Sequence, residues 1–201
     1  MKKILPFFSY LFHPLFTGIF AALFYFYHCE RHFEYQIVYL YLIQILLLTV
    51  FVPLGVFYLL ISLGKIDSIM VSKVSERKIP LLIHILLLGV LIQFSITREQ
   101  IPELYFFFLA SIISSLIALV FIFFKIKSSL HMLGMATLTV FFIGLSVHFN
   151  QLNYVVIAIL LLCNGIVATS RLYMKAHTYF ELFLGYLIGL IPQVIFLWYW
   201  L

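Results

Sequence analysis

Seven long apolar stretches, separated by charged or Pro-bearing breaks, dominate this chain: residues 4 to 27, 36 to 63, 79 to 96, 103 to 124, 132 to 149, 152 to 168 and 179 to 201. A bilayer's hydrocarbon is about 30 Å thick, and about 20 apolar residues coiled as helix cross it while satisfying their own backbone hydrogen bonds. The stretches predict an all-α fold: a polytopic membrane helix bundle of about six to seven transmembrane helices. Several stretches sit at the lower length limit for a span, so tilted or re-entrant segments are among the expectations.

With 65% hydrophobic and 9% charged residues, the chain lacks the polar surface of a soluble domain. It shows no Gly/Ser linker, charged tail or fixed-period repeat, which points to a single transmembrane domain over residues 1–201. Lys2 and Lys3 precede an apolar run as in a signal peptide, but no small-residue cleavage site follows, so a retained first span is expected. Cys29 and Cys163 are too few for a disulfide framework and read as packing residues. The aromatic ending Trp198-Tyr199-Trp200 suits an interfacial belt.

Seven crossings would put the loops after the second, fourth and sixth spans on the same face as the N-terminus. That face then carries Lys2, Lys3, Lys65, Lys73, Arg77, Lys78, Lys125, Lys127, Arg171 and Lys175, against Arg31 and Arg98 on the other, a division of 10 to 2. The positive-inside rule makes the basic face cytoplasmic. Phosphate recognition also needs clustered Lys and Arg, however, so some of these cations serve chemistry rather than topology.

Three polar segments share the basic face: Lys73 to Pro80, Lys127 to His131, and Ser170 to Glu181. Ionisable groups at membrane depth cost about 2.5–3.5 kcal/mol each on insertion scales, which makes Arg171, His177 and Glu181 functional candidates. His177 and Glu181 stand four residues apart, on one helical face, where the carboxylate can accept one imidazole proton and leave the other nitrogen to attack. Arg171 can fork two phosphate oxygens, and Lys73, Arg77, Lys78 and Lys127 add positive field.

The combination resembles the type 2 phosphatidic acid phosphatase superfamily, whose signatures are KxxxxxxRP, PSGH and SRxxxxxHxxxD. Ser170-Arg171, His177 and Glu181 reproduce the third, with Glu for Asp; Ser128-Ser129-Leu130-His131 keeps the Ser and His of the second; Lys73 and Pro80 keep the ends of the first, with Arg77 and Lys78 in place of its Arg. The likeness covers a catalytic core of approximately residues 65–190. It implies a phosphohistidine formed on His177, orientation of that ring by Glu181, and protonation of the leaving group by His131. It further implies phosphate binding by Arg171, Lys73, Arg77, Lys78, Ser129, Ser170 and Lys127, with no metal and no cofactor.

The resemblance thus implies a membrane-embedded phosphatase hydrolysing a lipid phosphate or an isoprenyl diphosphate, multi-pass in a bacterial cytoplasmic (inner) membrane. A phosphotransferase is the close alternative. A noncatalytic or transport-type protein descended from the same superfamily is the distant one. The bilayer is the expected partner; nucleic acid is not, because the basic residues sit at helix ends rather than along a groove. The cluster His28, Cys29, Glu30 and His32 reads as an interfacial loop, His84 either as a hydrogen-bonded packing residue or, one turn into the span after Pro80, as a residue lining the site, and His13-Pro14 and His148-Asn150 as interface or kink features. Gly185 and Gly189 form a small-xxx-small face for close helix approach.

Overall fold

In the computed structural model, which describes residues 4–29, 31, 33–71 and 73–201, helices account for all regular structure among the described residues. Six helical units are long and apolar enough to cross a membrane, and a seventh if the bent N-terminal pair is one span. The chain has the architecture of an integral, multi-pass membrane protein. Lys2, Lys3, Glu30 and His32 lie outside the described residues.

The N-terminal pair breaks for a local reason. Pro14 has no N–H to donate and forces the residue before it out of the helical region. His13 accordingly adopts φ −65°, ψ 141°, its Nδ1 accepts the Leu15 N–H at 3.3 Å, and one 3-10 turn, Pro14–Phe16, follows. The limbs α1 (Ile4–Leu11) and α2 (Thr17–His28) consequently meet at a bend of 41°. A second proline acts more mildly: α3 (Tyr35–Leu46) and α4 (Val52–Ser62) join through a π turn, Leu47–Phe51, just before Pro53, and form one 28-residue span.

The remaining spans are α5 (Lys78–Phe94), α6 (Pro102–Phe123), α7 (Leu130–His148), α8 (Tyr154–Tyr173) and α9 (Tyr179–Leu197). Their lengths of 17 to 22 residues correspond to about 25–33 Å of helix, matched to the hydrocarbon thickness. α7 is the central post, with 83% of its most apolar window buried against 22–50% for the other spans. It leans on α9 through the two expected glycines: a Cβ on Gly185 would strike the Ser129 carbonyl, and one on Gly189 the Leu133 carbonyl. That close approach sets Ser129 and His131 against the start of α9, which is where the polar segments meet.

Candidate functional site

At one end of the bundle, three connections are stitched together by hydrogen bonds to backbone. Arg77 Nη1 donates to the Ser128 carbonyl at 2.8 Å, Lys127 Nζ to the Ala176 carbonyl at 2.6 Å, and Ser129 N–H to the Glu181 carbonyl at 3.0 Å. The three polar segments singled out in the sequence therefore converge, as their shared face requires. At the other end, Arg31 reaches Gln100 and Glu103. The two ends are chemically distinct.

The third segment is the most ordered. Thr178 caps α9: its Oγ accepts the Glu181 N–H at 3.3 Å, and Glu181 Oε2 accepts the Thr178 N–H at 3.3 Å. The same Oε2 lies 2.7 Å from His177 Nδ1 and 3.8 Å from Lys127 Nζ. One carboxylate thus closes a helix and holds an imidazole, a double task that favours the longer reach of Glu over Asp. A carboxylate oxygen only accepts, so Nδ1 carries the proton and Nε2 keeps its lone pair. Burial first, then the charges of Arg77, Lys127 and Arg171, push the His177 pKa down to about 2 and keep the ring neutral.

Two arginines face the same cavity without a carboxylate between them. Arg77 is turned inward by the 3-10 turn Val74–Arg77; its Nε donates to the Val71 carbonyl at 3.0 Å, a carbonyl aimed by the left-handed φ of 38° at Val71. Arg171, in the last turn of α8, is 1% exposed. Its Nη1 rests against the sulfurs of Met70 and Met174 at 3.7 and 3.9 Å, and its Nε has no hydrogen-bond partner among the described residues. An ionised guanidinium taken out of water costs several kcal/mol unless an opposite charge or good hydrogen bonds compensate, and thioethers are weak acceptors.

The cavity, about 100 Å³, is walled by Arg77, Arg171, His177, His131, His13 and His84 together with apolar side chains, and no Asp or Glu lines it among the described residues. His131 Nε2 lies 3.0 Å from the Ser9 carbonyl, which places the proton on Nε2 in the neutral ring. Its ring meets that of His13 edge-on at 5.2 Å between centroids. No group of three or more His, Cys, Asp or Glu is arranged to hold a metal among the described residues.

The structure brings His177, His131, Arg77 and Arg171 to one cavity with Glu181 directly behind; the other expected phosphate ligands lie elsewhere. Lys73 is 62% exposed and paired with Asp67 at 2.6 Å and Glu76 at 3.1 Å, which raise its pKa, Asp67 more than Glu76. Lys78 sits over the Phe123 ring at 4.7 Å. Ser129 caps α7 by accepting the Met132 N–H, and Ser170 Oγ bonds Ser9 Oγ and the Leu5 carbonyl. Lys127 is a strut between Ala176 and Glu181.

Two wall residues carried a different expectation. His84 faces the cavity with no hydrogen-bond partner among the described residues, which fits the site-lining alternative for it rather than the satisfied packing histidine. His13, read as a kink feature, is both the kink and a cavity wall. The capping signal Thr178-x-x-Glu181 was available in the sequence; the inward turn of α1 that delivers His13 was not. No family model matches the chain, and no curated protein or solved structure matches it either.

Proposed function

We propose that the chain is a metal-independent membrane phosphatase acting on a lipid phosphate or diphosphate, as the likeness to the type 2 phosphatidic acid phosphatases implies. The observation that carries this reading is Arg171: a buried guanidinium on a cavity wall with no carboxylate, beside a second arginine and a neutral, oriented imidazole. Such a site is electrostatically incomplete until an anion enters.

His177 Nε2 attacks the phosphorus, the bond to the bridging oxygen breaks, and the phosphoryl group resides on His177 until water displaces it. Glu181, hydrogen-bonded at Nδ1, supports the positive charge that develops on the ring. Arg77 and Arg171 neutralise the equatorial oxygens, where most of the transition-state charge is spread. In this reading His131, on the cavity wall, delivers a proton to the departing oxygen when its ring is charged. The apolar wall, which includes Pro53, Phe57 and Leu81, suits the chain that the phosphate is attached to.

The test is phosphate release by the purified protein in micelles from a panel of lipid phosphates and diphosphates, in the presence of EDTA. Turnover by the native chain and its absence in His177→Ala support the reading. A chain that releases phosphate from none of the panel, or only with a divalent ion restored, sinks it.

A further inference from the structure

Glu181 Oε2, 2.7 Å from His177 Nδ1, also has an ammonium beside it, that of Lys127 at 3.8 Å. Lys127 is not a loose surface cation. Its Nζ donates at 2.6 Å to the carbonyl of Ala176, the residue before His177. The backbone just after it is pinned twice: Arg77 Nη1 donates to the Ser128 carbonyl at 2.8 Å, and the Ser129 N–H to the Glu181 carbonyl at 3.0 Å. The 3-10 turn Val74–Arg77, the lead into α7 and the start of α9 together fix where this charge stands. Lys127 is not among the residues that wall the cavity, so its route to the chemistry runs through Glu181.

The two halves of a phosphohistidine reaction ask opposite things of a carboxylate at Nδ1. While the ring attacks, a carboxylate that pulls on the Nδ1 proton helps, because positive charge is developing on the imidazole. While water displaces the phosphoryl group, that pull hinders. If Nδ1 has kept its proton, the P–Nε2 bond breaks to give a neutral imidazole; if the proton has passed to the carboxylate, an imidazolate must leave, and it leaves far less readily. The acid lability and base stability of phosphohistidine have this origin. A cation beside the carboxylate favours the imidazolium–carboxylate pair over its neutral tautomer, and for a partly exposed ion pair at this range the bias is about tenfold.

We propose, on the basis of the phosphatase reading, that Lys127 is a positioning residue for the second half of the reaction: through Glu181 it keeps the Nδ1 proton on phosphorylated His177, so that water releases the phosphoryl group with neutral imidazole as the leaving group. The water oxygen bonds to phosphorus, and one of its protons passes to the His131 ring, neutral after the first half. The P–Nε2 bond breaks, and its electron pair returns to Nε2. Lys127 then serves hydrolysis of the intermediate and not the binding of phosphate, the part that the resemblance gives it.

The test follows formation and decay of the labelled intermediate separately, by rapid quench of the full chain in micelles with a terminally ³²P-labelled prenyl diphosphate. Lys127→Met slows decay by about tenfold and leaves formation within about threefold, so kcat and KM fall together while kcat/KM holds. Lys127→Arg restores decay. Slowing of both steps alike, or of formation alone, overturns the proposal, the first as structural damage and the second as a phosphate ligand. A second readout covers a Lys127→Met chain that does not fold. Burial, opposed by Glu181 and aided by Arg77 and Arg171, lowers the Lys127 pKa below its ordinary value of 10.5. Decay in the native chain therefore slows as pH rises through that titration, and Lys127→Arg, which stays charged, removes the slowing. Slowing that persists in Lys127→Arg overturns the proposal. A native chain that never takes up label removes the phosphatase reading and this proposal with it, whereas a labelled native chain with unaltered decay in Lys127→Met removes the proposal alone.

Discussion

The two ends of the bundle bury charge in opposite ways. Opposite the cavity, Glu103 is fully buried and meets Arg31 at 3.2 Å and His148 at 3.4 Å. At the cavity end, Arg171 is as deeply buried, and among the described residues its guanidinium finds thioethers, those of Met70 and Met174, as its hydrogen-bond partners. Both are costly on insertion, but the first has a cationic partner within the chain on its Oε1, though its Oε2 has no hydrogen-bond partner among the described residues, and the second meets no carboxylate among them. A buried ion that has its counter-ion is explained by the fold; one that lacks it asks for a ligand. The same contrast separates Lys73, paired on the surface with Asp67 and Glu76, from Arg77, inside and fixed by carbonyls.

Substitutions at the two ends should therefore fail differently. Arg171→Met is expected to lower turnover by about 10²–10³-fold, as removal of a transition-state donor does, while leaving the unfolding midpoint equal or higher, because an uncompensated buried charge is removed. Steady-state kinetics and denaturant unfolding of one preparation check both halves. A large loss of stability would place Arg171 in the structural class with Glu103.

Glu103→Gln is the mirror experiment. It leaves turnover within about twofold and lowers stability by about 1–3 kcal/mol, because Arg31 and His148 lose a charged acceptor. Lost activity with unchanged stability would break the distinction between the ends.

Acid should weaken the cavity end selectively. His177 stays neutral in the folded chain, with its pKa pushed down to about 2, whereas in the unfolded chain the ring takes a proton near the ordinary value of 6.5. The folded state then binds fewer protons below pH 6.5, so stability is unaffected above that value and falls as pH drops from 6.5 towards 2. The slope is at most about 1.4 kcal/mol per pH unit from this group. His177→Gln should flatten the dependence by that amount in unfolding midpoints followed from pH 7 to 5. Parallel curves for the two proteins would contradict it.

The smallest effect is expected where the resemblance had placed a phosphate ligand. Lys73→Met should change turnover by less than about threefold and stability by less than ~1 kcal/mol, the ordinary scale for exposed ion pairs. A hundredfold loss would return Lys73 to the site and show that the surface pairing with Asp67 is released during turnover.

The spans were legible because hydropathy is local: each of the seven stretches became a helical unit, and Pro14 and Pro53 mark the two irregularities. The convergence of the three polar segments followed from counting crossings. What one dimension hid was depth. Lys73 and Arg77 differ by four residues, yet one is at the surface and the other in the cavity, since the 3-10 turn at Val74–Arg77 rotates them apart. Ser129 and Ser170 were legible as polar residues at helix ends, but such residues satisfy backbone or one another before they reach a ligand, as both do here. His13 joins the cavity through a bend between α1 and α2, and no periodicity in the sequence encodes where a bent limb lands.

If the Glu181-held imidazole of His177 takes the phosphoryl group, the phosphohistidine can be captured. The purified chain is mixed with a terminally ³²P-labelled prenyl diphosphate, quenched in alkali within the first turnover, and its labelled peptide sequenced. Base-stable, acid-labile label is expected on His177 in the native chain and none in His177→Ala, with Glu181→Gln forming the intermediate more slowly. Label carried by His131, or persisting in His177→Ala, would contradict it.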